Sequence, residues 1–343
     1  MHVAIFKTNF LGDNIVFLPV VQHLRRRFPT WQITLITNPA AAPLYAPKVD
    51  FHDILTVEPN DLKRAWRNPL VFARWWAALH RKKIDASLVS YDQSSTAHAL
   101  ARLAGGRVRA GGSGLRIRLK GTLTHELAWR EGWSVAQWNW EIARLWLQAL
   151  GEHDWPNTPP APDLSDLIGD TTRRPGRIVI HAGSKWIYTR WPRERYVELA
   201  GRLARHYEVI WINAPETADA VLPSNVTSQF TSDVGALAQL LASASLFIGN
   251  HSGPMHVANA VGTPIVGLVG PTDFPWDPLW HREDTLLLRT PGLSCQPCER
   301  VQYAPGTCAN EMEPVACLRR WSVEAIEAAC RDWIRGNRNY RSL

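Results

Sequence analysis

Residues 246–270 read LFIGNHSGPMHVANAVGTPIVGLVG, and this stretch decides the fold class. Its first apolar run predicts a short strand, Leu246–Gly249, and the polar turn after that strand ends at Pro254. Proline suits the first turn of a helix, so we predict a helix over Pro254–Val261 and a second strand over Pro264–Gly270. A strand, a helix and a strand in close succession predict a parallel βαβ unit.

The same alternation occurs in both halves of the chain. Strands are predicted at Val3–Thr8 and Arg177–His181, and each precedes a loop and a helix, the first helix being Asn14–Arg27. Between the halves lies the proline-rich segment WPNTPPAP, Trp155–Pro162, which can continue neither a helix nor a central strand. We therefore predict two doubly wound α/β domains, residues 1–165 and 175–320, and a C-terminal helix in residues 321–343 that is expected to pack back on the first domain.

Charge and composition narrow the class of function. The chain has 343 residues and a formal charge of +7, which favours anionic partners. It lacks the sequence marks of nucleic-acid modules, so nucleic-acid binding is not predicted. No Gly-x-Gly-x-x-Gly follows either leading strand, which argues against a dinucleotide oxidoreductase. No apolar run of about 18 residues and no basic leader segment occur, so a cytoplasmic protein is expected.

Three loops follow predicted strands, where open α/β sheets bind their ligands. The first loop, Asn9–Asp13, contains Gly12, which lets the backbone turn tightly. Asp13, at the end of this loop, is either the N-cap of the next helix or a carboxylate base.

The second and third loops favour a phosphate ligand. The second loop, His181–Pro192, combines small residues, a hydroxyl group and two cations, although a solvated loop is the alternative. The third loop, Gly249–His256, opens a helix whose first amides, those of Ser252, Gly253 and Met255, can face an anion.

Three stretches that include these loops together resemble glycosyltransferase family 9, the ADP-heptose:lipopolysaccharide heptosyltransferases. They are LGDNIVFLPVVQHLRRRFP (11–29), IVIHAGSKWIYTRWPRERYVELA (178–200) and FIGNHSGPMHVANAVGTPIVGLVGPTD (247–273), in the family's order and spacing. The resemblance implies a GT-B fold, in which two Rossmann-like domains, one for the acceptor and one for the nucleotide sugar, face each other across a cleft. It also implies an inverting glycosyltransferase that moves heptose from ADP-heptose to the lipopolysaccharide inner core and needs no metal for its chemistry.

The resemblance implies a role for each loop. Asp13, beside Gly12, looks like the general base that deprotonates the acceptor hydroxyl, and Glu216 resembles the acid that contacts the donor nucleoside. The residues that look like donor and diphosphate binders are Gly183, Ser184, Lys185, Thr189, Arg190, Ser252, Gly253, Met255 and His256.

Two positions depart from the family pattern. Thr189 stands where the family commonly has Lys, and His251 stands where it commonly has an Asp that faces the donor sugar. The alternatives are therefore a different donor, a protein or small-molecule acceptor, or a non-catalytic member of the family. A nucleotide-sugar epimerase is a further alternative, against which the Leu-Gly-Asp match argues.

Four cysteines crowd one region near the C-terminus: Cys295, Cys298, Cys308 and Cys317. The first two form a C-x-x-C turn, which can direct two thiolates at one ion. A structural zinc or iron ion, remote from the chemical step, is one expectation, and four reduced thiols are the alternative. Some relatives in the family, including autotransporter heptosyltransferases, carry a comparable cysteine cluster that resembles a metal finger.

The stretch Asp61–Lys83 mixes basic residues with tryptophans. This composition suits peripheral contact with an anionic membrane, or with an anionic glycan or glycolipid acceptor. The alternative is an amphipathic helix that packs on its own sheet and exposes a solvated basic face.

Overall fold

The computed structural model describes residues 1–45, 53–58, 69–91, 95–113, 121–301, 303 and 305–336. The chain divides into two compact units, Met1–Asp163 and Leu164–Leu343. The division falls directly after the proline-rich segment, whose prolines lack the hydrogen-bonding amides that a regular element needs.

The first unit is built on a parallel sheet of strand order β3-β2-β1-β4-β5-β6. Its central strand β1 is buried along its whole length, because helices cover both faces of a doubly wound sheet. The strands are β1 (His2–Lys7), β2 (Gln32–Thr37), β3 (Asp53–Thr56), β4 (Ala86–Val89), β5 (Val108–Ser113) and β6 (His125–Ala128). The helices are α1 (Leu11–Arg27), α2 (Pro69–His80), α3 (Ser95–Ala104) and α4 (Val135–Ala149).

The second unit repeats this plan with strand order β12-β11-β10-β7-β8-β9, again parallel throughout. The strands are β7 (Arg177–His181), β8 (Glu208–Asn213), β9 (Thr227–Phe230), β10 (Leu246–Asn250), β11 (Ile265–Leu268) and β12 (Thr285–Leu288). The helices are α5 (Ser165–Ile168), α6 (Arg193–Leu203), α7 (Val234–Ala242), α8 (Gly253–Ala260), α9 (Ala316–Arg319) and α10 (Val323–Ile334).

Both sheets have the strand order of a doubly wound nucleotide-binding fold, which confirms the predicted α/β class. In such sheets the crevice for a ligand lies where the strand order reverses, between β1 and β4 in the first unit and between β7 and β10 in the second. The first loop follows β1, the second follows β7 and the third follows β10. The topology therefore places all three predicted loops at a reversal point.

Several boundaries differ from those predicted. Helix α1 begins at Leu11, three residues before the predicted start at Asn14. The short strands β3, β5, β6, β9 and β12 carry too little apolar periodicity to be predicted from sequence; β9, for example, is exposed at every position.

The C-terminal helix α10 packs into the core of the second unit. Its buried face carries Ile326, Cys330 and Trp333, each at most 2% exposed, and contacts the same cluster as Trp191 and Tyr196. The expected packing of this helix on the first domain stays a prediction. Among the residues with described structure, none of the helices combines the length and the apolar character that crossing a bilayer requires.

Candidate functional site

Asp13 lies in the first turn of α1, at the carboxyl end of β1. The N-cap of this helix is Phe10, and no side-chain hydrogen bond caps it. The interpretation of Asp13 as the N-cap is therefore wrong, because the helix starts earlier than its polar residues suggest. Gly12 is likewise the second residue of the helix rather than part of a tight turn. Asp13 is partly exposed there, as a carboxylate that acts on a substrate must be.

A buried asparagine, Asn14, fixes the backbone that leads to Asp13. Its Nδ2 donates to the carbonyl oxygens of Asn9 (2.8 Å) and Phe10 (3.0 Å). Its Oδ1 accepts from the hydroxyls of Thr37 (3.1 Å) and Tyr45 (2.8 Å). Because every one of these groups needs a partner when buried, the network holds the first loop in one conformation.

Lys7, at the end of β1, is a buried cation beside this network. Its Nζ lies 3.3 Å from Asn9 Oδ1 and 4.4 Å from the centroid of the Tyr91 ring. The side chain is fully buried. Neither Lys7 nor Asn14 was predicted as a site residue, because each lies at the border of an apolar run beside other polar residues.

The second loop is closed by its own side chains. Ser184 Oγ and Thr189 Oγ1 are 2.7 Å apart, and Thr189 Oγ1 also donates to the carbonyl of Trp186 at 2.7 Å. Arg190 Nε donates to the Ser184 carbonyl at 2.7 Å. Arg190 thus helps to shape the loop in addition to supplying charge. Lys185 extends over the half-exposed Trp186 ring, with Nζ 4.7 Å from the ring centroid.

Glu216 meets the second loop at Gly183. A Cβ atom added at Gly183 would lie 2.9 Å from the carboxyl carbon of Glu216 and 3.0 Å from Nε2 of His181. Only glycine leaves room for both side chains. Burial, followed by the charge of Arg190, lowers the pKa of His181 to about 4, so this imidazole is neutral at physiological pH.

The third loop leads into α8, with Ser252 as its N-cap. In the described part of the chain, the amides of Ser252 and Gly253 have no hydrogen-bond partner and are available to an anion. The amide of Met255 already donates to the Ser252 carbonyl at 3.0 Å, so the prediction that it is free for an anion is wrong. The reason is a tight first turn. The side chains of Met255 and His256 are buried. Burial, followed by the charge of the neighbouring His251, lowers the pKa of His256 to about 3.

His251 points into a buried cluster. Its Nε2 lies 3.1 Å from the Trp276 carbonyl oxygen and 3.6 Å from Oδ1 of Asp277. Asp277 is in turn paired with Arg289 at 2.6 Å. Burial, followed by the charge of Arg289, lowers the pKa of His251 to about 4. The neutral ring therefore donates from Nε2 to Trp276, and no negative charge replaces the family's Asp at this position.

A cavity of about 600 Å³ opens beside the second loop, a volume typical of small-molecule sites. It combines cations, an acid and aromatic rings, which suits a nucleotide. Its lining includes Trp186, Tyr188, Arg190, Arg193, Glu216, Cys308 and Arg319. Residues of the third loop do not line it, among those that the structure describes.

The four cysteines predicted as a metal site form no disulfide with one another, and they lie close enough to influence one another's ionisation. Burial, then the charges of Cys298, Cys308 and Cys295, raise the pKa of Cys317 to about 12. The Val315 amide donates to Cys308 Sγ at 3.2 Å. Within the described ranges, however, no three His, Cys, Asp or Glu side chains are placed so that they could hold a metal ion. Because Cys308 lines the cavity that Glu216 also lines, the cluster is not remote from that cavity.

Comparisons with known proteins agree with this geometry. The family model "Glycosyltransferase family 9 (heptosyltransferase)" matches residues 152–306. Lipopolysaccharide heptosyltransferase 3 of Escherichia coli is 25% identical over 288 residues, which are 78% of this chain and 84% of that protein.

Two solved structures show the same fold. E. coli heptosyltransferase WaaC with ADP-2-deoxy-2-fluoro heptose aligns with a TM-score of 0.70 and 19% identity, over 97% of this chain and 99% of that one. The iron-containing dodecameric glycosyltransferase TibC from enterotoxigenic E. coli aligns with a TM-score of 0.56 and 15% identity, over 97% of this chain and 78% of that one. The predicted GT-B fold class is confirmed. The chain is a glycosyltransferase, and its residues 152–306 are similar to glycosyltransferase family 9.

Proposed function

We propose that this enzyme transfers heptose from ADP-heptose to a hydroxyl group of the lipopolysaccharide inner core, with inversion at the anomeric carbon. The observation that carries the proposal is that the second and third loops both follow strands at the reversal point of one sheet, and that the second loop lines a cavity with cations and an acid. Helix amides and arginines at such a point bind phosphate groups. Lipopolysaccharide heptosyltransferase 3, the relative described above, supports the choice of donor and acceptor class.

The donor is proposed to bind through groups of the second unit. Ser184, Lys185, Thr189 and Arg190 contact the diphosphate together with the amides of Ser252 and Gly253. Glu216 contacts the nucleoside, and its position at the cavity wall supports that role. His251, buried and neutral, contributes shape at the sugar end rather than the negative charge of the family's Asp.

Asp13 is proposed to act as the base in a single displacement. The acceptor oxygen attacks the anomeric carbon while the bond from that carbon to the diphosphate oxygen breaks. The proton of the hydroxyl moves to the Asp13 carboxylate, and the bonding electron pair leaves with the diphosphate. Cations and amides stabilise the negative charge that collects there, so the chemistry needs no metal ion.

Turnover with a panel of donors tests the proposal. Purified enzyme is incubated with a deacylated inner-core acceptor and ADP-heptose, ADP-glucose, GDP-mannose or UDP-glucose, and the glycosylated product is measured by mass spectrometry. We expect product with ADP-heptose and none with the GDP and UDP donors. Turnover with another donor alone would contradict the donor assignment. Nucleotide binding without any turnover would support the non-catalytic alternative.

We further propose that the cysteine cluster binds a structural zinc or iron ion. The amide that donates to Cys308 Sγ favours a thiolate, and a dication would offset the burial and the mutual repulsion that raise the pKa of Cys317. The sulfurs must draw closer together than they lie here to bind an ion. Elemental analysis of protein purified without chelator tests this. We expect near-stoichiometric metal, and less than about a tenth of an equivalent with freely titrating thiols would exclude it.

A further inference from the structure

Asn250, the last residue of β10, connects the two donor-binding loops through four buried hydrogen bonds. Its Nδ2 donates to the carbonyl oxygens of Ala182 (2.9 Å) and Gly183 (3.3 Å). Its Oδ1 accepts from the amide of Trp191 (2.9 Å) and the hydroxyl of Tyr196 (3.0 Å). The side chain is fully buried. The third predicted loop contains this residue, but no role was predicted for it.

The sheet explains why an asparagine is suited to this place. β7 and β10 pair up to His181 and Gly249, and β7 ends there. Past that point the carbonyl groups of Ala182 and Gly183 have left the ladder and need other donors. An amide side chain offers two donor hydrogens and two acceptor lone pairs, and all four are used. Only one orientation of this amide matches donors with acceptors.

The four bonds join both ends of one segment. Ala182 and Gly183 precede the segment Ser184–Arg190, and Trp191 and Tyr196 follow it. Inside the segment, Ser184 bonds to Thr189 and Arg190 bonds back to the Ser184 carbonyl. A segment whose two ends are fixed and whose interior is cross-linked is pre-organised, so a ligand need not order it.

We propose that Asn250 is a positioning residue for the donor: it holds the Ser184–Arg190 segment in the conformation that binds the diphosphate. This inference rests on the proposed function. Asn250 itself does not touch the donor in this scheme, since all of its polar atoms are engaged within the protein. Its effect on binding passes through the carbonyl groups and the amide that it holds.

Asn250→Asp separates positioning from a merely structural role. The substituted carboxyl group has the same shape, but it can donate a hydrogen bond only when it is protonated. Burial raises the pKa of a carboxyl group, and the two facing carbonyl oxygens raise it further because they repel the ionised form. The Trp191 amide and the Tyr196 hydroxyl, which donate to the other oxygen, act in the opposite direction. The segment should therefore be held at low pH and released at high pH.

Calorimetric titration of the full-length protein with ADP at pH 5.5 and pH 8.5 measures this. The terminal phosphate of ADP loses a proton between these pH values, with a pKa of about 6, so each variant is compared with wild type at the same pH. His181, His251 and His256 stay neutral at both pH values. For N250D we expect binding about tenfold weaker or worse at pH 8.5, with recovery to within about threefold of wild type at pH 5.5.

Asn259→Asp is the matched control. Asn259 is a buried asparagine of α8 in the same unit, and it donates to the Trp280 carbonyl and accepts from the Trp280 amide. N259D should lose stability while its ADP affinity stays near wild type at both pH values. Hydrogen exchange should show faster exchange of the 184–190 amides in N250D at pH 8.5 and not in N259D.

The outcomes separate the inference from the proposed function. If wild-type protein binds neither ADP nor another nucleoside diphosphate, the proposed function fails. If wild type binds ADP and N250D binds it equally at both pH values, or is weakened equally at both, the inference is overturned. If N250D does not fold, Tyr196→Phe decides: it removes one bond to Asn250, and ADP affinity must fall by at least about twofold.

Discussion

Replacing Gly183 by alanine tests the site at its tightest point. Gly183 does not adopt a left-handed backbone, so alanine is allowed there by conformation. Its Cβ, however, would lie 2.9 Å from the Glu216 carboxyl carbon and closer still to the oxygen Oε1. Ordinary contact begins at 3.4 Å, so the carboxyl carbon must retreat by about 0.5 Å and Oε1 by more. Glu216 ends in a flexible side chain, and it will move before the backbone does.

The two consequences of this displacement differ in size. Forcing one side chain off its preferred rotamer costs about 0.5–1.5 kcal/mol of stability, which corresponds to a few degrees in Tm for a unit of this size. Losing a hydrogen bond that the Glu216 carboxylate accepts from the bound nucleotide costs about 1.5–3 kcal/mol, or roughly tenfold to a hundredfold in affinity. We therefore expect Gly183→Ala to weaken donor binding far more than it destabilises the fold.

The assay is a double-mutant cycle with Glu216→Ala. ADP affinity by calorimetry, donor KM and Tm are measured for wild type, each single variant and the double variant. If the added methyl group acts by moving Glu216, Gly183→Ala should weaken ADP binding by less than about twofold once Glu216 is truncated. An undiminished effect in the Glu216→Ala background would refute the reasoning and assign the loss to the loop backbone or to His181.

Three further predictions concern other parts of the chain. Asp13→Asn should lower kcat by at least about a hundredfold with little change in Tm, and near-normal turnover would remove Asp13 as the base. His181 and His251 have folded pKa values of about 4, below the unfolded value of 6.5, so the unfolded chain binds more protons between these pH values. Stability is therefore complete above pH 6.5 and is lost as pH falls towards 4, by up to about 3 kcal/mol for each histidine. Urea unfolding at pH 7.5 and pH 4.5 gives the free energy of unfolding at each pH. Between these pH values His251→Asn should lose less of it than wild type does, and equal losses would contradict the low pKa assigned to His251. Sedimentation with anionic vesicles at low salt should occur if the Asp61–Lys83 stretch contacts membranes, and Trp76→Ala should reduce it; absence of binding would leave only the amphipathic-helix interpretation.

The last of these predictions lies partly outside the described residues, which include α2 but not residues 59–68. In α2, Leu79 is buried and Trp75 packs against the core of the first unit, whereas Leu70 and Trp76 are exposed. One face of this helix thus packs on its own sheet, as the alternative interpretation requires. Its other face leaves apolar surface for a further contact.

The fold class and the location of the three loops follow from the order of apolar and polar residues along the chain. Central strands of a parallel sheet are buried on both faces, so β1, β7 and β10 appear as apolar runs that need no partner to be recognised. The loops follow from these strands because ligand sites of open sheets lie at the strands' carboxyl ends. Edge strands such as β9 left no such signal, since an exposed strand needs no apolar residues.

The role of each polar side chain in these loops depends on contacts that form when the chain folds. Asn250 and Asn14 lie beside other polar residues in the sequence, and their partners lie up to 68 positions away in the chain, so no local pattern identifies them. The imidazole of His251 turns to a carbonyl group 25 residues later, and the amide of Met255 is consumed by its own helix turn. Hydrogen-bond partners are assigned by proximity after folding, whereas burial is imposed by residue type. Local sequence patterns therefore locate the loops where a ligand can bind. The hydrogen bonds that hold these loops in shape are known only from the folded structure.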